Sequence, residues 1–257
     1  MKKSILLWVV FFLCTPLVVY SASIGSPETN GKFKFSIGQD QEFVFDRDLD
    51  FKSIKPPLLP GQVLVNNKIK DLYRTTIKGS FGVFDFLDIY VKLGAVDYQF
   101  ESDSFTLGTF DGDVHGESDW GFAYGGGLKG AYAFKNGLLL GGDLQYVWQR
   151  QKAEVTFTAP GGVGITDTGK VTLKEWQAAP YIGLKIGNFI PYAGVKYSDV
   201  RLKARGESVI QEAKFEADDN FGTFIGLTYS GIDKLKLYLE GRFIDETAFS
   251  FGLTYKF

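Results

Sequence analysis

Hydrophobic and polar positions alternate with period two along most of the chain. The last nine residues show this most plainly: Phe249, Phe251, Leu253, Tyr255 and Phe257 alternate with Ser250, Gly252, Thr254 and Lys256. Side chains leave a β-strand on opposite faces in turn, so this stretch is a strand with one greasy face and one polar face. The same pattern predicts strands over residues 33–45, 69–83, 88–101, 119–134, 138–157, 171–186, 190–204, 214–229, 235–244 and 249–257. That gives ten strands, with eight or twelve as the alternatives. Polar segments over residues 47–67 (with Pro56, Pro57 and Pro60), 102–118, 158–170 and 206–213 read as long loops, and the connections between them as tight turns, one carrying the hairpin pair Asn136-Gly137. Long and short connections alternate except the last, at residues 245–247, which is brief where a long one is expected.

The direction of the faces follows from residue size. In the fourth strand Trp120, Phe122, Tyr124, Leu128, Tyr132 and Phe134 alternate with Gly121, Ala123, Gly125, Gly127, Lys129, Ala131 and Ala133. Bulky residues on one side and small ones on the other are the reverse of a soluble core, and suit a tightly filled barrel with an apolar exterior. An even number of antiparallel strands with alternating short and long connections is the organisation of a transmembrane up-and-down β-barrel, closed because an open edge would strand backbone groups in hydrocarbon. In the fifth strand Leu138, Leu140, Leu144, Tyr146 and Trp148 point outward, but Arg150, Lys152 and Glu154 then take that phase. Charges there are costly in lipid, so the strand is expected to have left the membrane by Arg150.

Composition sharpens this picture. The 24 Phe, 13 Tyr and 31 Gly suit aromatic girdles and tight turns. Residues 1–23 read as a secretory signal, with Lys2 and Lys3 before an apolar run and Ser21, Ala22 and Ser23 for cleavage; residues 24–257 form the barrel. Its removal takes away Cys14, the only cysteine, and shifts the net charge from −2 to −4 as Lys2 and Lys3 leave. Thiol chemistry is thereby excluded from the mature protein, and nucleic acid is not an expected partner.

The phasing points Lys34, Arg74, Lys78, Lys92, Lys129, Lys185, Lys196, Lys236 and Arg242 inward, against Asp40, Glu42, Asp143, Glu175 and Glu240, and Asp46 falls on the same phase of the first strand as Asp40 and Glu42. Two readings stand: a narrow pore whose cationic field favours anions, and a plugged interior in which these charges pair. His115, the only histidine, lies among Asp111, Asp113, Glu117 and Asp119. It reads as part of a solvated loop; the competing readings are a general base and a calcium loop, the latter broken by Phe122 where the closing glutamate belongs. No serine elbow or phosphate loop is present, and Gly125 to Gly127 sit within a strand.

Two segments carry a family resemblance. Glu42, Phe43, Val44, Phe45, Asp46, Arg47 and Leu49 resemble the first-strand motif of the chlamydial major outer membrane proteins, and Glu240, Arg242, Ile244, Asp245, Glu246, Ala248 and Phe257 resemble their closing hairpin. The chain is much shorter than those porins and lacks their cross-linking cysteines. The resemblance implies a porin or structural barrel of the cell envelope without a disulfide-linked network, and implies that terminal Phe257 helps the barrel-assembly machinery recognise the chain. The expected protein is thus a non-enzymatic barrel integral to a bacterial outer membrane, without metal or cofactor. Its expected partners are outer-membrane lipid, lipopolysaccharide, the assembly machinery and small solutes, with a surface-binding barrel (an adhesin) as the alternative.

Overall fold

The computed structural model describes residues 23–55, 64–107, 110–158, 164–207 and 212–257. Residues 1–22 of the expected signal and the three loop prolines lie outside the described residues; Ser23, expected as the last residue of the signal, packs inside the ring with residues 24–30 and is described with them. The described residues form twelve strands: β1 (Phe35–Lys55), β2 (Leu64–Phe84), β3 (Leu87–Leu107), β4 (Phe110–Ser118), β5 (Gly121–Ala133), β6 (Leu138–Thr158), β7 (Gly164–Leu184), β8 (Phe189–Gly206), β9 (Glu212–Ala217), β10 (Phe221–Ile232), β11 (Leu235–Phe243) and β12 (Thr247–Lys256). β4 and β5 follow one another along the same course between β3 and β6, as do β9 and β10 beside β8. Twelve strands therefore make the ten staves that the alternation predicts.

Every pairing is antiparallel, and the ring closes where β1 meets β12, from Ser36 opposite Lys256 to Asp46 opposite Thr247. The closing hairpin of β11 and β12 is short, and above it β9 pairs directly with β1. This accounts for the brief connection at residues 245–247: the wall is completed above it by other strands, so no long loop is needed there. The periplasmic-type turns are tight. Gly137 adopts φ +86°, which its lack of a side chain permits, and the Asn136 Oδ1 accepts the Leu138 N–H at 3.2 Å.

Below Trp148 and Trp176 the exterior is apolar: Leu140, Leu144, Tyr146, Ile182, Leu184, Val195, Ile225 and Leu239 are all exposed. From Leu138 to Trp148 a strand rises about 33 Å, which at a tilt near 40° spans about 25 Å, the height of the apolar band of an outer-membrane barrel. Aromatic rings mark both edges of the band. Tyr124 and Trp148, Trp176 and Tyr197, and Tyr197 and Phe221 touch in one girdle, and Phe84 with Phe86, Phe189 with Tyr229, and Tyr255 with Phe257 in the other.

Above the upper girdle the wall inverts. On β7 the outward residues change from Ile182 and Trp176 to Lys174 and Lys170, while the inward ones change from Gln177 and Glu175 to Leu173 and Val171. Leu49, Ile69, Leu72, Tyr98, Val114, Leu202 and Phe215 join the same buried apolar cluster inside the barrel. The segments expected as long loops are therefore largely strand: β1, β3, β4, β6, β7, β8 and β9 all run into them. They read as loops because their outward residues are charged; the burial that holds them together is on the inner face.

Candidate functional site

The lumen is the candidate site, and its lower half is filled by the chain's own N-terminal segment. Ser23 to Asn30 lie inside the ring, and lumen side chains take up their backbone groups. The Ser23 N–H donates to Glu42 Oε1 at 2.7 Å, and Lys92 Nζ donates to the Ser23 carbonyl at 3.1 Å. Lys129 donates to the carbonyls of Ile24 and of Ser26, the latter at 2.8 Å. The Tyr181 hydroxyl donates to the Pro27 carbonyl at 2.8 Å, and Lys256 Nζ to that of Thr29 at 2.8 Å. The Asn30 N–H donates to Asp88 Oδ2 at 2.9 Å. Glu28 forms ion pairs with Lys236 and, at 3.2 Å, with Lys185. Burial pushes the Glu28 carboxyl up, but the two lysines outweigh it and hold the group below its ordinary value of 4.5.

Around this segment the lumen charges pair with one another, two of the pairs between directly opposed residues of adjoining staves. Arg74 meets Glu42 at 2.9 Å, Lys92 meets Asp40 at 3.3 Å and Lys129 meets Asp143 at 3.6 Å. The Tyr90 hydroxyl donates to Asp143 Oδ1 at 2.6 Å, and that of Tyr192 to Glu240 Oε2 at 3.0 Å. Lumen tyrosines are seated on small residues of the neighbouring staves. A Cβ on Gly226 would stand 2.1 Å from Tyr192 Cζ, so glycine there is required by the close approach of the ring.

At the level of the upper girdle lies a belt of buried charge. Arg47 reaches Glu175 at 3.2 Å, Glu246 at 3.1 Å and Asp245 at 3.5 Å, and donates to Ser198 Oγ at 2.7 Å. Lys196 pairs with Asp245 at 2.9 Å and with Glu246, and Arg242 with Glu246 at 3.0 Å and Glu240 at 3.4 Å. Above the belt the apolar chamber closes over: Phe215 of β9 meets Phe100 of β3 and Phe51 of β1, with ring centroids 5.0 and 5.7 Å apart. The chamber leaves a void of about 70 Å³ and the belt one of about 20 Å³.

Most of the inward residues expected from the sequence are thus brought together: Arg74, Lys92, Lys129, Asp143, Glu175, Lys196, Lys236, Glu240 and Arg242 are all buried in the lumen. Lys78 faces it over the Tyr90 ring, 4.4 Å from its centroid. Lys34 and Lys185 are exposed at the mouth, Lys34 because it precedes β1. Asp46 is a correction. The phase of the first strand put it inward, but the register shifts between Val44 and Asp46, so Asp46 turns outward to Lys68 at 3.4 Å and Arg47 turns inward.

His115 is a second correction. It stands on β4, on the exposed outer face, with Nε2 3.2 Å from Glu117 Oε1 and Nδ1 3.8 Å from Glu101 Oε1. Asp111 and Asp113 share that extended strand, which cannot wrap an ion as a calcium loop does. Phe257 ends the closing stave: its N–H donates to the Phe35 carbonyl at 3.0 Å and its ring lies 5.6 Å from that of Phe35.

Neither a protein-family model nor a curated protein sequence matches the chain. Solved structures do. The outer membrane protease OmpT from Escherichia coli is similar at a TM-score of 0.53 and 8% identity, over 92% of this chain and 100% of that one. The translocator domain of the autotransporter NalP from Neisseria meningitidis is similar at a TM-score of 0.48 and 13% identity, over 90% of this chain and 91% of that one. The first likeness shows that the fold is that of an outer-membrane β-barrel.

Proposed function

We propose that the protein is a non-enzymatic barrel integral to a bacterial outer membrane, porin-like or structural, whose lumen is closed in the form described here. The observation that carries this reading is the double seal: residues 23–30 fill the lower lumen and Phe215 with its neighbours fills the upper. A dry apolar constriction excludes ions even where it is wide enough for them. The charges once free to give a lumen its anion preference are engaged, Lys129 with backbone carbonyls and Asp143, Lys196 with Asp245 and Glu246. Small solutes pass only if both seals move.

Planar-bilayer recording tests this. The intact barrel is expected to insert without steady conductance. Removal of residues 23–30 together with Leu202→Ser and Phe215→Ser opens a narrow conductance that favours anions, and Lys129→Glu with Lys196→Glu reverses the preference. A steady ohmic current from the intact protein refutes closure and returns the open pore. Solved relatives of this fold include a protease; His115→Ala is expected to leave a protease screen unchanged, since the ring lies on the outer wall among exposed carboxylates. The charged wall standing above the girdle favours a second reading, binding at the cell surface.

A further inference from the structure

The outer wall above the upper girdle is strongly polarised. On β6, β7 and β8 the outward positions carry Arg150, Lys152, Lys170, Lys174, Arg201 and Arg205. Cross-strand register sets like charges directly opposite one another: Lys152 faces Lys170, Lys170 faces Arg205, and Lys174 faces Arg201. Such pairs destabilise a sheet unless something anionic lies between them. The protein supplies part of that. Asp199 holds Arg201 at 3.0 Å, and Glu212 holds Lys203 at 2.6 Å and Arg205 at 3.4 Å. Glu154 and Glu216 share the outer face, Glu216 opposite Arg201 across β8 and β9. Yet no carboxylate lies within 4.0 Å of Arg150, Lys152, Lys170 or Lys174 among the described residues, although these four stand on adjoining strands.

Their height decides what the anion is. Lys174 is directly opposite Trp148, and Arg150 is two residues above it, about 7 Å along the strand. Tryptophans of a girdle sit at the boundary between acyl chains and headgroups, so these cations are at headgroup depth, on the side away from the tight turns and hence in the outer leaflet. Directly below them the same staves expose Leu144, Tyr146, Ile182 and Leu184 to acyl chains. We infer that the outer wall of β6, β7 and β8 is a binding site for a phosphate-bearing, acylated glycolipid of the outer leaflet, its phosphates seated between the opposed lysines and arginines and its chains on the apolar wall beneath. This rests on the outer-membrane placement and not on conduction.

The test uses the purified barrel in neutral detergent, with diphosphorylated lipid A, the same glycolipid without phosphate, and inorganic phosphate as probes, read by native mass spectrometry and thermal unfolding. Diphosphorylated lipid A is expected to bind and to raise the unfolding midpoint, and Lys152→Gln with Lys174→Gln weakens it about thirtyfold, each surface cation contributing roughly 1 kcal/mol toward an anionic headgroup. In the absence of lipid, Lys170→Gln raises the midpoint, because it relieves two like-charge pairs at once. Equal binding of the phosphate-free glycolipid, equal stabilisation by inorganic phosphate, unchanged binding by the double variant, or no rise for Lys170→Gln each overturns the proposal. Since binding is read in micelles, a bilayer result for or against closure leaves it standing.

Discussion

Arg47 is the residue on which the belt of buried charge turns. It is buried, touches three carboxylates on two elements, and is the only cation among the described residues within 3.5 Å of Glu175. Arg47→Met keeps the bulk of the side chain and removes its charge. Glu175 is then left with Arg74 at 4.0 Å, while Asp245 and Glu246 keep Lys196 and Arg242. Loss of one partner from a buried ion pair costs about 3–5 kcal/mol, because the other charge stays desolvated and unmatched. Equilibrium unfolding in urea, with the barrel in detergent micelles, reads this through Trp120, Trp148 and Trp176. Arg47→Met combined with Glu175→Met removes both charges and is expected to recover most of the loss, since paired charges replaced by apolar groups of similar size are close to neutral. A single-variant cost below about 1 kcal/mol, at an unchanged denaturant slope, would refute the view that this belt is desolvated.

Acid is expected to loosen the lower seal. The folded-state pKa of Glu28 is depressed, so its contribution is complete above the ordinary 4.5 and is lost as pH falls through the lower folded value; the hydrogen-exchange protection of residues 23–30, corrected for intrinsic exchange, should be lower in Glu28→Gln than in the parent protein above pH 4.5, and the difference should vanish as pH falls below it. Gly226→Val should cost about 1–3 kcal/mol in urea unfolding by driving the Tyr192 ring off its seat, and Tyr192→Ala should relieve that clash when added to it. Phe257→Ser removes an exposed ring, so refolding in micelles should be nearly unchanged while insertion in cells slows, as expected if the assembly machinery reads that residue; equal slowing in both settings would make the effect structural.

The wall was legible in the sequence because strand alternation has one interpretation where one face is uniformly large and apolar. Residues 121–133 show this: the alternation of Phe122, Tyr124 and Leu128 with glycine and alanine fixes both the strand and its outside. The lumen was legible only in part. Arg47 was concealed by the bulge after Val44, which reverses the phase without leaving a glycine or proline to announce it, and Asp71 at φ +42° accompanies a similar shift in β2. Asp245 and Glu246 did leave a signal. A connection too short for its place in an alternating series had to be covered by other strands, and its carboxylates had to find partners inside them. Residues 23–30 left none, since a segment that binds through its backbone carbonyls and amides imposes no period on its side chains.

The inversion at the girdle explains why an inventory of inward charges overstates a pore. On β7 the phase never slips: Lys170, Lys174 and Trp176 share one face, Val171, Leu173 and Glu175 the other. Alternation alone is therefore blind to the change from a barrel that is apolar outside to one that is apolar inside. What distinguishes them is the sign of the contrast between faces, taken window by window. By that criterion the lower half is apolar outside and charged within, and the upper half is charged outside and folds on an apolar core of its own. A cationic lumen excess confined to the lower half, met there by the carbonyls of residues 23–30, has no continuous path to the cell surface. On the proposed reading, the upper seal is then a property of the stave sequences themselves, and a solute crosses only when that core comes apart and residues 23–30 leave the lumen below it.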